Sequence, residues 1–247
     1  MLIKQYNILL IGDDCQDVYQ YGYVDRISPE APVPVFRLDY EDSRPGMAGN
    51  VFENLSQFNC SVNYVYDRTT TKTRLIDIRS GQHIVRIDDD QISQPVRLAD
   101  DDFSVYDAIV ISDYNKGTVD YELITSIRQA YHGAIFVDTK KTDLAKLQGC
   151  IVKINSLEFS LAKTLCDDLV VTQGKDGATY HGRTYPGTKI EVVDVCGAGD
   201  TFLAALCVGY LNNDSDMSAA LEFANQAAAV TVQHSGVYAP TMEEIIA

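Results

Sequence analysis

The sequence predicts an α/β fold, a mainly parallel sheet covered by helices on both faces. Three observations predict it. Short apolar runs recur along the chain, and most are followed by a helical stretch, the β–loop–α repetition that builds a parallel sheet. Each run closes on a polar or glycine-bearing loop (Gly12-Asp13, Asp113, Asp138, Asn155), and open α/β sheets collect ligands at such carboxyl ends. The 247 residues suit one large domain, 1–247, because no Gly/Ser linker, low-complexity tract or repeat divides them.

Taken in order, Tyr6–Ile11 is a first buried strand, with Asp13, Asp14 and Asp17 clustered behind it. Carboxylates there suit paired hydrogen bonds from sugar hydroxyls, and equally a polar loop. Tyr19–Val24 leads to Arg26–Val35, where Pro29, Pro32 and Pro34 exclude a helix and leave an extended edge ribbon. Arg44–Asn50 opens a helix at Val51–Phe58. Ser61–Tyr66 is a strand, after which Asp67-Arg68 passes directly into Thr69–Arg74. Arg74–Ile78 and His83–Ile87, parted by Ser80-Gly81, make a hairpin. Asp107–Ser112, Ala134–Val137, Cys150–Ile154 and Asp168–Thr172 are further strands. Val119–Tyr131 and Met217–His234 are helices, the second stopped by Ser235-Gly236 ahead of Pro240.

The chemistry concentrates in Val193-Asp194-Val195-Cys196-Gly197-Ala198-Gly199-Asp200-Thr201-Phe202, between an expected strand at Ile190–Val193 and a buried helix at Phe202–Leu211. Gly197, Ala198 and Gly199 leave backbone amides bare where the helix begins. Those amides have no intrahelical acceptor, and with the helix dipole they form an anion site. Asp200 puts a carboxylate beside it. A phosphate at the amides and a base for a hydroxyl proton describe phosphoryl transfer to an alcohol. A bare strand–turn–helix junction with Asp200 as a cap fits the same residues.

D-V-C-G-A-G-D-T-F resembles the signature of the ribokinase-like carbohydrate kinases. G-D-D-C-Q-D-V-Y-Q-Y-G with R-I-S-P-E-A-P-V-P-V is similar to the opening of one branch, the bacterial kinases that phosphorylate the anomeric hydroxyl of D-glycero-D-manno-heptose 7-phosphate. Matching motifs run from Gly12 to Pro240. The resemblance implies a three-layer ribokinase-like fold with a small β lid, at about 14–40 and 69–90, that also serves as a homodimer interface. It implies ATP and Mg2+ as cofactors and a sugar phosphate as acceptor. Asp200 would be the catalytic base, with the amides of Gly197, Ala198 and Gly199 around the migrating phosphoryl group. Asp13, Asp17 and Asn50 would orient the sugar. Arg86 (in H-I-V-R-I-D), Lys116 (in D-Y-N-K-G) and Asp138 (in D-T-K) would complete the substrate side. Asn155 and Glu158, the N-x-x-E pair, would keep magnesium and its waters near the phosphates, although N-x-x-E also reads as a helix cap. Thr172, Gly174, Gly177 and Asn225 would border the nucleotide. Two departures stand out: Met47 occupies the second glycine of the family's P-G-G-A, and an αβ segment that the family carries after Tyr66 is missing.

Composition narrows the partners. A net charge of −15 argues against nucleic acid and an anionic membrane surface. Ile190–Ala247 holds no Lys or Arg, whereas Arg68, Lys72, Arg74, Arg79, Arg86 and Arg97 form a basic island, suited to an anionic small molecule or to a solvated strand face. Six scattered cysteines without C-x-x-C, and four scattered histidines, favour free thiols over disulfides or zinc. With no apolar run of membrane-spanning length, a cytoplasmic location is expected. The alternatives are a kinase for another sugar or sugar phosphate, a degenerate member that binds without turnover, and an assembly subunit using the proline ribbon.

Overall fold

A computed structural model describes residues 4–98 and 102–246. The chain opens with β1 (Tyr6–Gly12), β2 (Asp14–Ile27), β3 (Pro34–Met47) and α1 (Ala48–Gln57). It continues through β4 (Cys60–Val65), β5 (Thr69–Asp77), β6 (His83–Asp89), β7 (Ala108–Asp113), α2 (Tyr121–Ala130) and β8 (Ala134–Thr139). Then come β9 (Ile151–Asn155), α3 (Ser156–Leu161), β10 (Leu169–Thr172), β11 (Ala178–Tyr180) and β12 (Arg183–Tyr185). The helices α4 (Ala198–Asn212), α5 (Met217–Thr231) and α6 (Met242–Ile246) close it.

Eight strands form one sheet in the order β12-β11-β10-β9-β8-β7-β1-β4. Its six strands from β10 to β4 are parallel, while β11 and β12 join antiparallel. A central parallel strand is buried on both faces and so reads as an unbroken apolar run. In β1, Ile8 and Leu10 enter one core, shared with Val51, Leu55, Leu203 and Leu221 of α1, α4 and α5. Leu9 and Ile11 enter the other, with Leu123, Ile124 and Ile127 of α2. The result is helix on sheet on helix, as expected. Helix α4 is buried continuously from Asp200 to Gly209, which explains an apolar stretch too uniform to be a surface helix.

A second sheet of four strands, β3-β2-β5-β6, rises from the carboxyl end of β1. Its central pair β2–β5 is parallel, and both outer pairs are antiparallel. It spans the segments expected for the lid, but β3 runs to Met47 and delivers the chain into α1.

Two expectations fail here. Ile190–Val193 is not a strand. It has no partner beyond β12 and crosses the end of α5, where the Val193 and Asp194 amides donate to the Val232 carbonyl. The proline segment is not an edge ribbon either. Residues 28–33 form the tip that joins β2 to β3, closed by a Ser28 amide bond to the Val33 carbonyl. Pro29 and Pro32 remove donors that a ladder would require there, and Pro34 opens the edge strand β3 opposite Ile27. The short path from β4 to β5, by contrast, is as the sequence reads: β4 ends the main sheet, and Tyr66–Arg68 steps directly into the second sheet.

Candidate active site

The glycine turn is built as its composition dictates. Gly197 sits at φ 77°, the left-handed region, as the N-cap of α4. A Cβ there would stand 2.8 Å from Asn50 Nδ2 and from Val237 Cγ1, so glycine is required by both conformation and space. Of the amides there, that of Ala198 makes a long 3.4 Å bond to the Val195 carbonyl, and Lys153 Nζ would lie 3.0 Å from a Cβ on Gly199.

Asp200, one turn in, is 6% exposed. Asn50 Nδ2 donates to its Oδ2 at 2.9 Å, and the Tyr114 hydroxyl donates to its Oδ1 at 2.8 Å. Burial pushes its carboxyl up from 3.8 to about 6; the two donated bonds and Lys153 oppose that rise, and Asp138 adds to it. A buried acid poised near neutrality is suited to general base work.

Asn50 and Asp13, expected against the sugar, have other contacts. Asn50 is buried, and its amide addresses Asp200. Asp13 is 1% exposed. Its Oδ2 accepts the Tyr114 and Lys116 amides at 2.8 and 3.0 Å, and its Oδ1 accepts the Thr118 amide at 3.1 Å. It therefore clamps the loop after β7 that carries Tyr114. Asp17 bonds Arg74 at 2.6 Å, with the Arg74 guanidinium over the Tyr19 ring.

The basic island is largely neutralised. Arg86 pairs with Asp88 at 2.8 Å, Arg79 with Asp25 and Asp77, Arg97 with Asp120, and Arg68 with Asp67; outside the island, Lys116 pairs with Asp90 at 2.6 Å. Exposed pairs of this kind contribute little to stability. Their effect is to offer an anionic ligand less net charge than the residue count implied.

Met47 adopts a positive φ, at φ 51°, ψ −128°, and is 5% exposed. That conformation costs a non-glycine residue about 1–3 kcal/mol, and burying the thioether returns a similar amount. Met47→Gly is therefore expected to change the unfolding free energy by less than about 1 kcal/mol, measured by urea titration.

On the other side of the glycine turn lies a cavity of about 1000 Å³, large enough for a nucleotide. Tyr114, Asp138, Lys140 and Lys153 line its polar end with Gly199, and Ile190, Val192, Val195 and Val232 line its apolar end. The failed strand is thus an apolar cover, with Val192 and Val195 well exposed. Thr172, Gly174, Gly177 and Asn225 all border this cavity. A Cβ on Gly177 would overlap the Tyr185 carbonyl. Asn225 donates from Nδ2 to the Tyr185 carbonyl at 3.0 Å, so it also ties α5 to the sheet edge.

Asn155 and Glu158 form a reciprocal capping box at the start of α3: Asn155 Oδ1 accepts the Glu158 amide and Glu158 Oε2 accepts the Asn155 amide. Glu158 Oε1 also accepts Lys140 Nζ. One carboxylate and one amide, already bonded, fit a cation held through its waters rather than by direct ligation. Among the described residues no three His, Cys, Asp or Glu side chains gather as a metal cage.

Two residues escaped the sequence reading. Tyr114 lies inside the D-Y-N-K-G motif, but nothing local reveals that its hydroxyl reaches Asp200. Lys153 is 4% exposed and pairs with Asp138 at 2.6 Å. Its signal was available, as a lysine inside the otherwise apolar strand Cys150–Ile154 has to have a partner.

Residues 146–245 match the pfkB family carbohydrate kinase model. The bifunctional protein HldE of Nitratiruptor sp. is 31% identical over 297 aligned positions, which take in 96% of this chain and 64% of that protein. The HldE protein of Helicobacter pylori strain J99 is 32% identical over 304 positions, with 96% and 65% covered. The chain thus spans just under two thirds of these relatives, and the alignments exceed its own length, so they carry segments it lacks. Ribokinase from Thermotoga maritima superimposes with a TM-score of 0.72 at 15% identity, over 98% of each chain. Arabidopsis thaliana ribokinase complexed with ribose and ATP gives the same values. Escherichia coli phosphofructokinase-2 gives a TM-score of 0.70 at 16% identity, over 98% of this chain and 97% of its own. The fold is ribokinase-like. No helix among the described residues is long and apolar enough to cross a membrane.

Proposed function

We propose that the chain is a carbohydrate kinase of the pfkB type and that it transfers the γ-phosphoryl group of ATP to the anomeric hydroxyl of D-glycero-D-manno-heptose 7-phosphate. One observation carries the reaction class: Asp200, buried and held by two donors, stands in the first turn of α4 beside the glycine turn that caps it. In the transfer, the acceptor hydroxyl gives its proton to Asp200 and its oxygen bonds to phosphorus. The bond from phosphorus to the bridging oxygen breaks, and ADP leaves. The amides of Gly197, Ala198 and Gly199 stabilise charge on the migrating group, and Lys153 adds a cation at the same place. The cavity takes the nucleotide, with the base against Ile190, Val192 and Val195. Asn155 and Glu158 would hold Mg2+, which would supply neutralisation of phosphate charge.

The acceptor is argued from the R-I-S-P-E-A-P-V-P resemblance and from the HldE relatives. Asp17 and the second sheet face it, with Asn50 and Asp13 acting on the site's own residues. A second reading, another sugar or sugar phosphate, draws on Met47 and on the paired state of the basic island. A coupled kinase assay with heptose 7-phosphate, fructose 6-phosphate and ribose separates them. Turnover is expected with heptose 7-phosphate and at least tenfold lower kcat/KM, on the order of one lost polar contact, with the others. Preference for another acceptor would move the substrate and keep the reaction; turnover of none would sink the kinase reading.

The same resemblance supports a homodimer through the second sheet, which keeps Val85 and Ile87 of β6 half-exposed. ATP and a charged acceptor, with six free cysteines, fit a reducing cytoplasm.

A further inference from the structure

We propose that Tyr114 is a positioning residue for Asp200: its phenol holds one carboxylate oxygen while Asn50 holds the other, so that the base keeps a single orientation toward the incoming hydroxyl. The proposal rests on the kinase reading and deepens it.

The geometry is a chain of fixed contacts. The main sheet sets Asp13 at the end of β1, where Ser112 accepts its amide at 3.1 Å. The Asp13 carboxylate then binds three amides of the loop 114–118. Asp113, beneath that loop, is anchored by Thr139 at 2.5 Å and Lys141 at 2.9 Å. A loop held so tightly presents its tyrosine with little freedom. The hydroxyl meets Asp200 Oδ1 at 2.8 Å, and Lys140 Nζ lies 5.1 Å from the ring centroid. Neither oxygen of Asp200 is left to rotate, because Asn50 on α1 is itself bonded by Asn54 through Asn50 Oδ1 at 3.2 Å. Two donors from different elements, one per oxygen, fix a carboxylate far better than either alone.

The phenol also acts on proton affinity. A donor to the charged form favours ionisation, so the Tyr114 bond keeps Asp200 available as a base despite its burial. The other groups that face Asp200 are Asn50 on α1, Asp138 on β8 and Lys153 on β9; Lys140 also feels its charge, and Glu158 acts on Tyr114. All remain in place when the phenol oxygen alone is removed.

The test is the pH profile of kcat/KM in the full-length chain. The unchanged protein is expected to lose activity as pH falls through about 6, where Asp200 takes up a proton. Tyr114→Phe keeps the ring in the cavity and deletes one donor. It is expected to move that acid limb upward by about one pH unit and lower plateau kcat roughly tenfold, with KM for ATP within about twofold of the parent. Replacing Tyr114 by 3-fluorotyrosine, a stronger donor, should move the limb the opposite way; it carries the test should the Phe variant not fold. An acid limb that stays put in both variants overturns the positioning role. Absence of turnover in the unchanged protein removes the kinase reading and this inference with it, so the two failures are told apart.

Discussion

Asp200→Asn is expected to lower kcat by about 10²–10⁴-fold with little change in KM for ATP, and at the same time to stabilise the protein. Loss of activity follows from removing the carboxylate that Asn50 and Tyr114 hold. The gain in stability follows from linkage. Burial raises the Asp200 carboxyl from 3.8 to about 6, so between those values the folded state holds a proton that the unfolded state has released. Stability therefore falls as pH rises through that window, and above it the buried charge costs up to about 3 kcal/mol. Asparagine carries no charge and escapes the penalty. The figure is an upper limit, since the new amide must find an acceptor where the carboxylate met two donors. Urea midpoints should favour the variant at pH 8 and converge with the parent toward pH 4. A variant that is inactive yet no more stable at pH 8 would contradict the account of Asp200 as a strained, buried base.

Gly197→Ala is the second large effect. The methyl group would enter at φ 77° and meet Asn50 Nδ2 and Val237 Cγ1 at 2.8 Å. One of these must give way, and both border the anion turn. Activity should fall on the order of 10²-fold or more, with destabilisation of about 1–3 kcal/mol. Gly182 supplies the control. It lies in the turn between β11 and β12 at φ 73°, with nothing within 4 Å of a Cβ. Gly182→Ala should carry the backbone cost alone, about 1 kcal/mol, and leave turnover intact. If Gly197→Ala behaved like Gly182→Ala in the kinase assay, the glycine turn would not be the phosphoryl site.

The elements most legible in the sequence were those whose burial is uniform. The strands β1, β7, β8 and β9 and the helix α4 each carry an apolar run that only a sheet centre or a buried helix can absorb. Ile190–Val193 has the same apolar character but lies past the last strand, with no ladder to join. It covers the cavity instead. Local composition could not distinguish these fates, because an apolar residue is buried equally well by a sheet or by a ligand.

The candidate site divides in the same way. The glycine turn and the acid of G-A-G-D depend on a few adjacent residues, and so could be read directly from their spacing. Which side chains converge on Asp200 depends on elements far apart in the chain. Asn50 is 150 residues away and Tyr114 is 86; neither separation leaves a mark on local pattern. The basic island shows the reverse. Its cations were countable in the sequence, and Arg68, Arg79 and Arg86 meet carboxylates one or two residues away, but the partners of Arg74 and Arg97 lie 57 and 23 residues off and only folding brings them in. By itself, then, the sequence determined the layered fold and the glycine turn beside Asp200, since both follow from short-range patterns of apolar and glycine residues. The tertiary structure alone decided what holds Asp200 and what roofs the cavity, because those are contacts between segments that meet only when the two sheets and their helices close on one another.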